Sequence, residues 1–133
     1  MDKASHANYR RRLTVSHYIL YNMCVFCQII NKEIPSKLLF EDDEMVAFPD
    51  IKPSTAVHLL IVPKKHLASL AEVDDLDQEL LGRLLYRAKE LAAEQGIAEG
   101  GYKIVINTGK DGGQIVPHLH LHLLGGEPLK HPV

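Results

Sequence analysis

The chain lacks a strong charge imbalance: fifteen lysines and arginines stand against seventeen aspartates and glutamates, a formal net charge of −2 over 133 residues. That excludes broad electrostatic binding to nucleic acid, so any recognition of phosphate has to be local. Long hydrophobic runs are missing as well. The most continuous apolar stretch, Val57 to Pro63, is the length of a strand and far short of a membrane span. Repeats and low-complexity tracts are absent, and the length suits one domain with a real core but not two. A secretory leader is not expected. Arg10, Arg11 and Arg12 do precede a partly apolar stretch from Leu13 to Phe26, but Ser16, His17 and Asn22 interrupt it and no small-residue cleavage site follows. Residues 1–22 read instead as a flexible N-terminal extension, with the domain occupying 23–133 and Met23 opening the fold. Cysteine is scarce: only Cys24 and Cys27.

What is present has a clear order. Cys27 to Glu33 suits a short helix, stopped at Ile34-Pro35 because the residue before proline avoids the helical region. Lys37 to Glu41 and Met45 to Phe48 read as strands around the acidic turn Asp42-Asp43-Glu44. Pro49 to Ser54 is loop, and His58 to Val62 is a strand whose apolar run suits a central position. From Asp74, a plausible N-cap, Leu76, Leu80, Leu81, Leu84, Leu85, Ala88, Leu91 and Ala92 repeat at helical spacing until Gly96. Tyr102 to Asn107 predicts a strand, Thr108 to Gly113 a glycine-rich turn, and Val116 to Leu124 a last strand. The fold class is therefore α+β, with hairpin-type connections and an antiparallel sheet.

That last strand carries the strongest signal. His118, His120 and His122 alternate with Leu119, Leu121 and Leu123, so on a strand three imidazoles line one face and three leucines the other. A core strand has no structural need for such a polar stripe, and imidazole suits nucleophilic, acid–base or metal work near neutral pH. A histidine nucleophile acts as a neutral ring whose second nitrogen is held by an acceptor. Its neighbours on the same face can bind phosphate oxygens or orient it. Asn107, on the adjoining strand, can reach this surface. Gly109, Gly112 and Gly113 let backbone amides approach an anion closely. His58 supplies a further imidazole. Alone, His58 or His66 would pass as an ordinary histidine; three in alternation do not.

Cys24-Val25-Phe26-Cys27 is a second constellation. A Cys-x-x-Cys pair is a redox dithiol, half of a zinc site, or a chance spacing. The thioredoxin-like reading wants the motif after a strand inside a βαβ unit, and here it opens the fold. A zinc site needs two more ligands, for which His66 and His118 are of the correct type. Occupied zinc would imply reduced cysteines and a cytoplasmic setting.

The run His118-Leu119-His120-Leu121-His122-Leu123-Leu124 resembles the signature of the histidine-triad (HIT) family, three histidines alternating with apolar residues. The resemblance extends to Phe26-Cys27-Gln28-Ile29-Ile30, Glu33-Ile34-Pro35-Ser36, Ala47-Phe48-Pro49-Asp50-Ile51 and His58-Leu59-Leu60-Ile61-Val62-Pro63-Lys64-Lys65-His66. It continues through Asn107, Asp111-Gly112-Gly113-Gln114 and Gly125-Gly126, covering essentially Cys24 to Pro132. The chain looks most like the histidine-triad nucleotide-binding (HINT) branch, also called protein kinase C-interacting proteins.

The resemblance implies a five-stranded antiparallel sheet with one long and one short helix, assembled as a two-fold homodimer with a continuous sheet. It implies a purine nucleoside phosphoramidase that cleaves the P–N bond of nucleoside 5′-phosphoramidates through a nucleotidyl-histidine intermediate. By the family pattern His120 is the nucleophile, His118 and His122 hold phosphate and leaving group, and His58 orients His120. Asp50 matches the ribose-binding carboxylate; Phe26, Ile29, Phe48 and Ile51 match the apolar slot for the base. Asn107, Gly113 and Gln114 match residues near the phosphate. No catalytic metal is required, but some bacterial members resemble this chain in pairing Cys24, Cys27, His66 and His118 as a structural zinc site. Expected partners are AMP, GMP and related purine nucleotides, with no nucleic acid or membrane. Two departures stand out. Ile115 occupies the position of a family serine that hydrogen-bonds near the scissile bond, and Lys130-His131-Pro132-Val133 replaces a tail that often carries tryptophan. Two alternatives follow: a dinucleoside polyphosphate hydrolase or nucleotidyl transferase of the same superfamily, or a nucleotide-binding regulatory module without turnover.

Overall fold

Alternation of side chains gives the central sheet two apolar faces, and the two helices cover them. The computed structural model describes residues 24–133; the expected extension 1–22 and Met23 lie outside the described residues. Five strands, β1 (Phe40–Glu41), β2 (Met45–Pro49), β3 (Val57–Pro63), β4 (Tyr102–Val105) and β5 (Leu121–Gly125), pair antiparallel in the order β1-β2-β3-β5-β4. Two helices accompany them: α1 (Val25–Ile30) and α2 (Gln78–Glu94). The expected α+β fold, with an antiparallel five-stranded sheet, one long and one short helix, is the one observed.

On one face Met45, Ala47, Leu59, Ile61, Leu121 and Leu123 meet Leu80, Leu84, Ala88, Leu91 and Ala92 of α2. Those helical positions recur at three and four residues, the stripe that gives a helix one buried side. On the other face Val46, Phe48, Leu60 and Val62 meet Cys24, Phe26, Cys27, Ile29 and Ile30. This second cluster is smaller, and the site lies along its edge.

Element boundaries differ from the sequence expectation in instructive ways. Asp74 caps a 3-10 turn (Asp75–Asp77), accepting from Leu76 N–H at 2.9 Å, and the α-helix begins only at Gln78. Leu76, expected on the buried stripe, is therefore 89% exposed. The short helix starts earlier than expected, because Cys24 acts as its N-cap with the thiol accepting from Cys27 N–H at 3.4 Å. β1 and β4 are shorter than expected. The histidine strand is the largest correction. Only Leu121–Gly125 joins the ladder, while 116–118 bends before it, with the His118 N–H bonded to the Val116 carbonyl at 2.8 Å. Pro117 has no N–H to offer a ladder, and β3 itself stops at Pro63. Leu119 N–H is taken instead by the carbonyl of Leu67 at 2.7 Å. Alternation survives outside the ladder, with Leu119, Leu121 and Leu123 facing α2.

Candidate active site and metal centre

β3 and β5 place two of the histidines. Leu60 pairs with His122 across the ladder, so His58, two residues earlier on the same face, lies diagonal to His122. Nε2 of His58 is 2.9 Å from Nδ1 of His122. A backbone donor settles where the protons sit. The N–H of Ser54 donates to Nδ1 of His58 at 3.0 Å. A neutral His58 then carries its proton on Nε2 and donates it to His122 Nδ1, so His122 carries its own proton on Nε2. Asp50 Oδ2, 3.4 Å from His58 Nε2, supports that proton position. The expected bond from His58 to His120 is not made.

His120 is oriented separately. Its Nδ1–H donates to the carbonyl of His118 at 2.7 Å, which leaves the Nε2 lone pair bare. The Phe26 ring packs edge-on against His120, centroids 5.0 Å apart, and His122 is 4.9 Å away on the other side. Burial lowers the pKa of all three rings. His120 shifts down chiefly through burial, opposed by the His118 carbonyl. His58 shifts down through burial, opposed by Asp50. His122 falls to about 4, through burial first and then the neighbouring His120 and His58. Near neutral pH all three are uncharged.

These rings open into a cleft of about 430 Å³, a size suited to a small organic ligand. Phe26, Ile29, Phe48 and Leu60 form an apolar wall, with Phe26 and Phe48 in a T-shaped contact at 5.7 Å. Asp50, Asn107, Gly113, His58, His120 and His122 line it with polar groups. Ile51 and Ile115 stand at its mouth, 93% and 92% exposed. Asp50 Oδ1 accepts from Lys52 N–H at 2.9 Å, which folds the loop carrying Ile51 and Ser54.

The glycine turn is organised differently from the expectation. The amides of Gly113 and Gln114 bond to the carbonyls of Lys110 and Gly109, both at 3.1 Å, and are not presented to an anion. Gly113 adopts φ 77° to make the turn, and a Cβ at Gly112 would collide with the Thr108 backbone. Gln114, expected near the phosphate, is a strut. Its Nε2 donates to the carbonyls of Ala68 and Val116, and its Oε1 accepts from Gly109 N–H. Asn107 lines the cleft while its Nδ2 donates to the Gly112 carbonyl at 2.8 Å.

His118 goes elsewhere. It is fully buried, does not line the cleft, and donates from Nε2 to the Pro63 carbonyl at 2.8 Å. Its bare Nδ1 faces Cys24 Sγ at 3.2 Å, Cys27 Sγ at 3.6 Å and His66 Nδ1 at 3.1 Å, and Cys27 Sγ lies 3.3 Å from His66 Nδ1. All four ligand atoms lie within 4.8 Å of one another. A tetrahedral zinc with bonds of about 2.0–2.3 Å spaces its ligand atoms by about 3.3–3.8 Å, close to the spacing here. Two ring nitrogens this close need a shared proton or a cation between them. The hydrogen bond between the thiols lowers the pKa of Cys24, against the effect of burial, and raises that of Cys27, together with burial. The donor set fits zinc.

The HIT domain family matches residues 31–129. The chain belongs to the HIT family. An uncharacterised HIT-like protein of Synechococcus elongatus is 49% identical over 108 residues, covering 81% of this chain and 94% of the relative. A HIT family hydrolase from Legionella pneumophila superposes with TM-score 0.80 at 50% identity, over 82% of this chain and 97% of that one. A zinc-bound histidine triad family protein from Mycobacterium smegmatis gives TM-score 0.71 at 30% identity, over 85% and 86%. A histidine triad nucleotide-binding protein from Candida albicans gives 0.70 at 34%, over 83% of each. This HIT-family chain therefore carries the fold of known HIT family hydrolases, and among the described residues no helix is long and apolar enough to cross a membrane.

Sequence reasoning missed two features of the site. The Ser54 amide leaves no side-chain signal. The strut role of Gln114 depends on a tertiary partner at Ala68.

Proposed function

We propose that the chain is a purine nucleoside phosphoramidase, hydrolysing the P–N bond of nucleoside 5′-phosphoramidates to a nucleoside monophosphate and an amine. The observation that carries this reading is the bare Nε2 of buried, neutral His120, held by the His118 carbonyl and facing a cleft with an apolar slot at one side. The purine stacks in the slot formed by Phe26, Ile29, Phe48 and Ile51, and Asp50 accepts from the ribose hydroxyls. His120 Nε2 attacks the α-phosphorus, the leaving nitrogen takes a proton from solvent at the cleft mouth as the P–N bond breaks, and the neutral amine departs. Water then cleaves the phosphorus–histidine bond and returns a proton to solvent. The Nε2–H of His122 is the donor aimed into the cleft, toward phosphate oxygen or leaving nitrogen; such positioned donors supply most of the catalysis in phosphoryl-type transfer. His118 contributes its carbonyl rather than its ring.

Zinc belongs to this proposal as a structural ion held by Cys24, Cys27, His66 and His118, outside the reaction path. Reduced, metal-held thiols suit a cytoplasmic setting. β4 lies at the sheet edge, which favours a two-fold homodimer through a continuous sheet. Ile115 favours one second reading, a nucleotide-binding module without turnover. It offers no hydroxyl at the cleft mouth, although its amide enters none of the turn's hydrogen bonds.

Incubation with adenosine 5′-phosphoramidate decides between them. The wild type releases AMP, and His120→Ala lowers the rate by at least about 10³-fold with the fold intact, the scale of a lost nucleophile. Absence of AMP from clean, folded wild-type protein refutes the enzyme reading. Release of a nucleoside monophosphate and a nucleoside polyphosphate from a dinucleoside polyphosphate, with none from the phosphoramidate, favours the superfamily alternative.

A further inference from the structure

The metal centre and the cleft share two structural parts. The first is His118, whose ring belongs to the metal cluster while its carbonyl fixes the Nδ1–H of His120. The second is α1, only six residues long. Cys24 and Cys27 put one side of that turn on the cluster, and Val25, Phe26 and Ile29 put another on the cleft wall. The Phe26 ring touches both histidines edge-on, with centroids 5.9 Å from His118 and 5.0 Å from His120. So short a helix has no stability of its own and holds its position through its anchors.

We propose that Cys24, Cys27, His66 and His118 are positioning residues for the cleft: metal occupancy fixes α1 and the His118 peptide, and through them the base slot and the orientation of His120. Closing four ligands around one ion pins Cys24 and Cys27 relative to β3 and His118, leaving Phe26 and Ile29 one placement. Without the ion, no coordinate bond ties Cys24 and Cys27 to His66 and His118, which approach one another at 3.1–3.6 Å across four contacts. The α1 anchor then loosens, and the His118 carbonyl moves with its ring. Coupling of this kind is reciprocal. If the metal raises nucleotide affinity by some factor, the nucleotide raises metal affinity by the same factor. The nucleotide half of this inference rests on the functional reading above; the effect on His120 and α1 does not.

The test uses the full chain loaded with zinc, stripped by chelator, and reloaded with cadmium, a larger ion. Nitrogen-15 NMR of the histidines is recorded without nucleotide, and AMP affinity is measured by calorimetry. In the zinc form His120 shows a single Nδ1–H tautomer. Stripping mixes its tautomers and broadens the amides of Val25–Ile30, while residues of α2 are unchanged. AMP affinity falls about tenfold on stripping, and saturating AMP slows zinc transfer to a competing chelator by a similar factor. If the stripped chain unfolds, the cadmium form decides, with shifted His120 and Phe26 resonances expected in a folded protein. Unchanged His120 and α1 resonances in a folded stripped or cadmium form overturn the proposal. If AMP binds neither form, the nucleotide reading falls, and the NMR comparison still decides the coupling.

Discussion

Replacing His122 by asparagine should remove much of the acid sensitivity of the fold. The native state resists protonating His122 until about pH 4, whereas the unfolded chain takes that proton near pH 6.5. Acid therefore favours unfolding across the interval, and the stability contributed by the neutral ring at pH 7 is lost as pH falls through it. Between pH 7 and pH 5 the linkage amounts to about 2 kcal/mol for a fully shielded group, and about 1–2 kcal/mol once solvent at the open cleft is allowed for. Asparagine does not titrate, and its Oδ1 can take the same hydrogen bond from His58 Nε2–H that His122 Nδ1 takes now. Urea unfolding of the two proteins at pH 7 and pH 5, both metal-loaded, provides the assay. The metal cluster also weakens in acid, and His58 and His120 are shifted in the same direction. Those groups are present in both proteins, so the difference between the two pH-dependent losses reports His122 together with its interaction with His58 and His120. A variant that loses as much stability as the wild type over this interval refutes the assignment of a shielded, neutral His122.

The same shifts set a kinetic expectation. Because burial lowers the pKa of His120, the acid limb of kcat/KM for a phosphoramidate should lie below pH 6.5, the ordinary histidine value. A limb at or above that value contradicts a neutral buried nucleophile. Gln114→Ala removes three hydrogen bonds, two that fasten the glycine turn to Ala68 and Val116 and one that closes the turn on Gly109. It should cost about 1–3 kcal/mol in urea unfolding and raise KM for the phosphoramidate more than it lowers kcat. A silent variant would mean that the turn holds itself.

The sequence was most legible where one periodicity ran through a whole element. Leu84, Ala88 and Leu91 announce the buried side of α2, and alternation in His118–Leu123 separates the imidazoles from the core even where no strand ladder exists. Boundaries were less legible, because they depend on partners distant in sequence. The ladder stops at Leu121 because Pro63 and Leu67 lie opposite, not because of anything within the histidine run. The four-ligand cluster could be assembled from residue types and the family pattern, with the Cys24-x-x-Cys27 spacing as its local cue. The pairing of His58 with His122 could not. It follows from the diagonal across β3 and β5, and only the register fixes that diagonal.

One backbone group has an unusual reach in this architecture. The N–H of Ser54 determines which nitrogen of His58 holds a proton, and through His58 the same for His122. A proton arrangement written into the main chain is insulated from ordinary substitution, since every side chain but one leaves the amide in place. Proline alone would erase it. Position 54 can therefore vary widely in sequence while the pattern it dictates is inherited intact, and the residue that does most to arrange the cleft need not look important in any comparison of side chains.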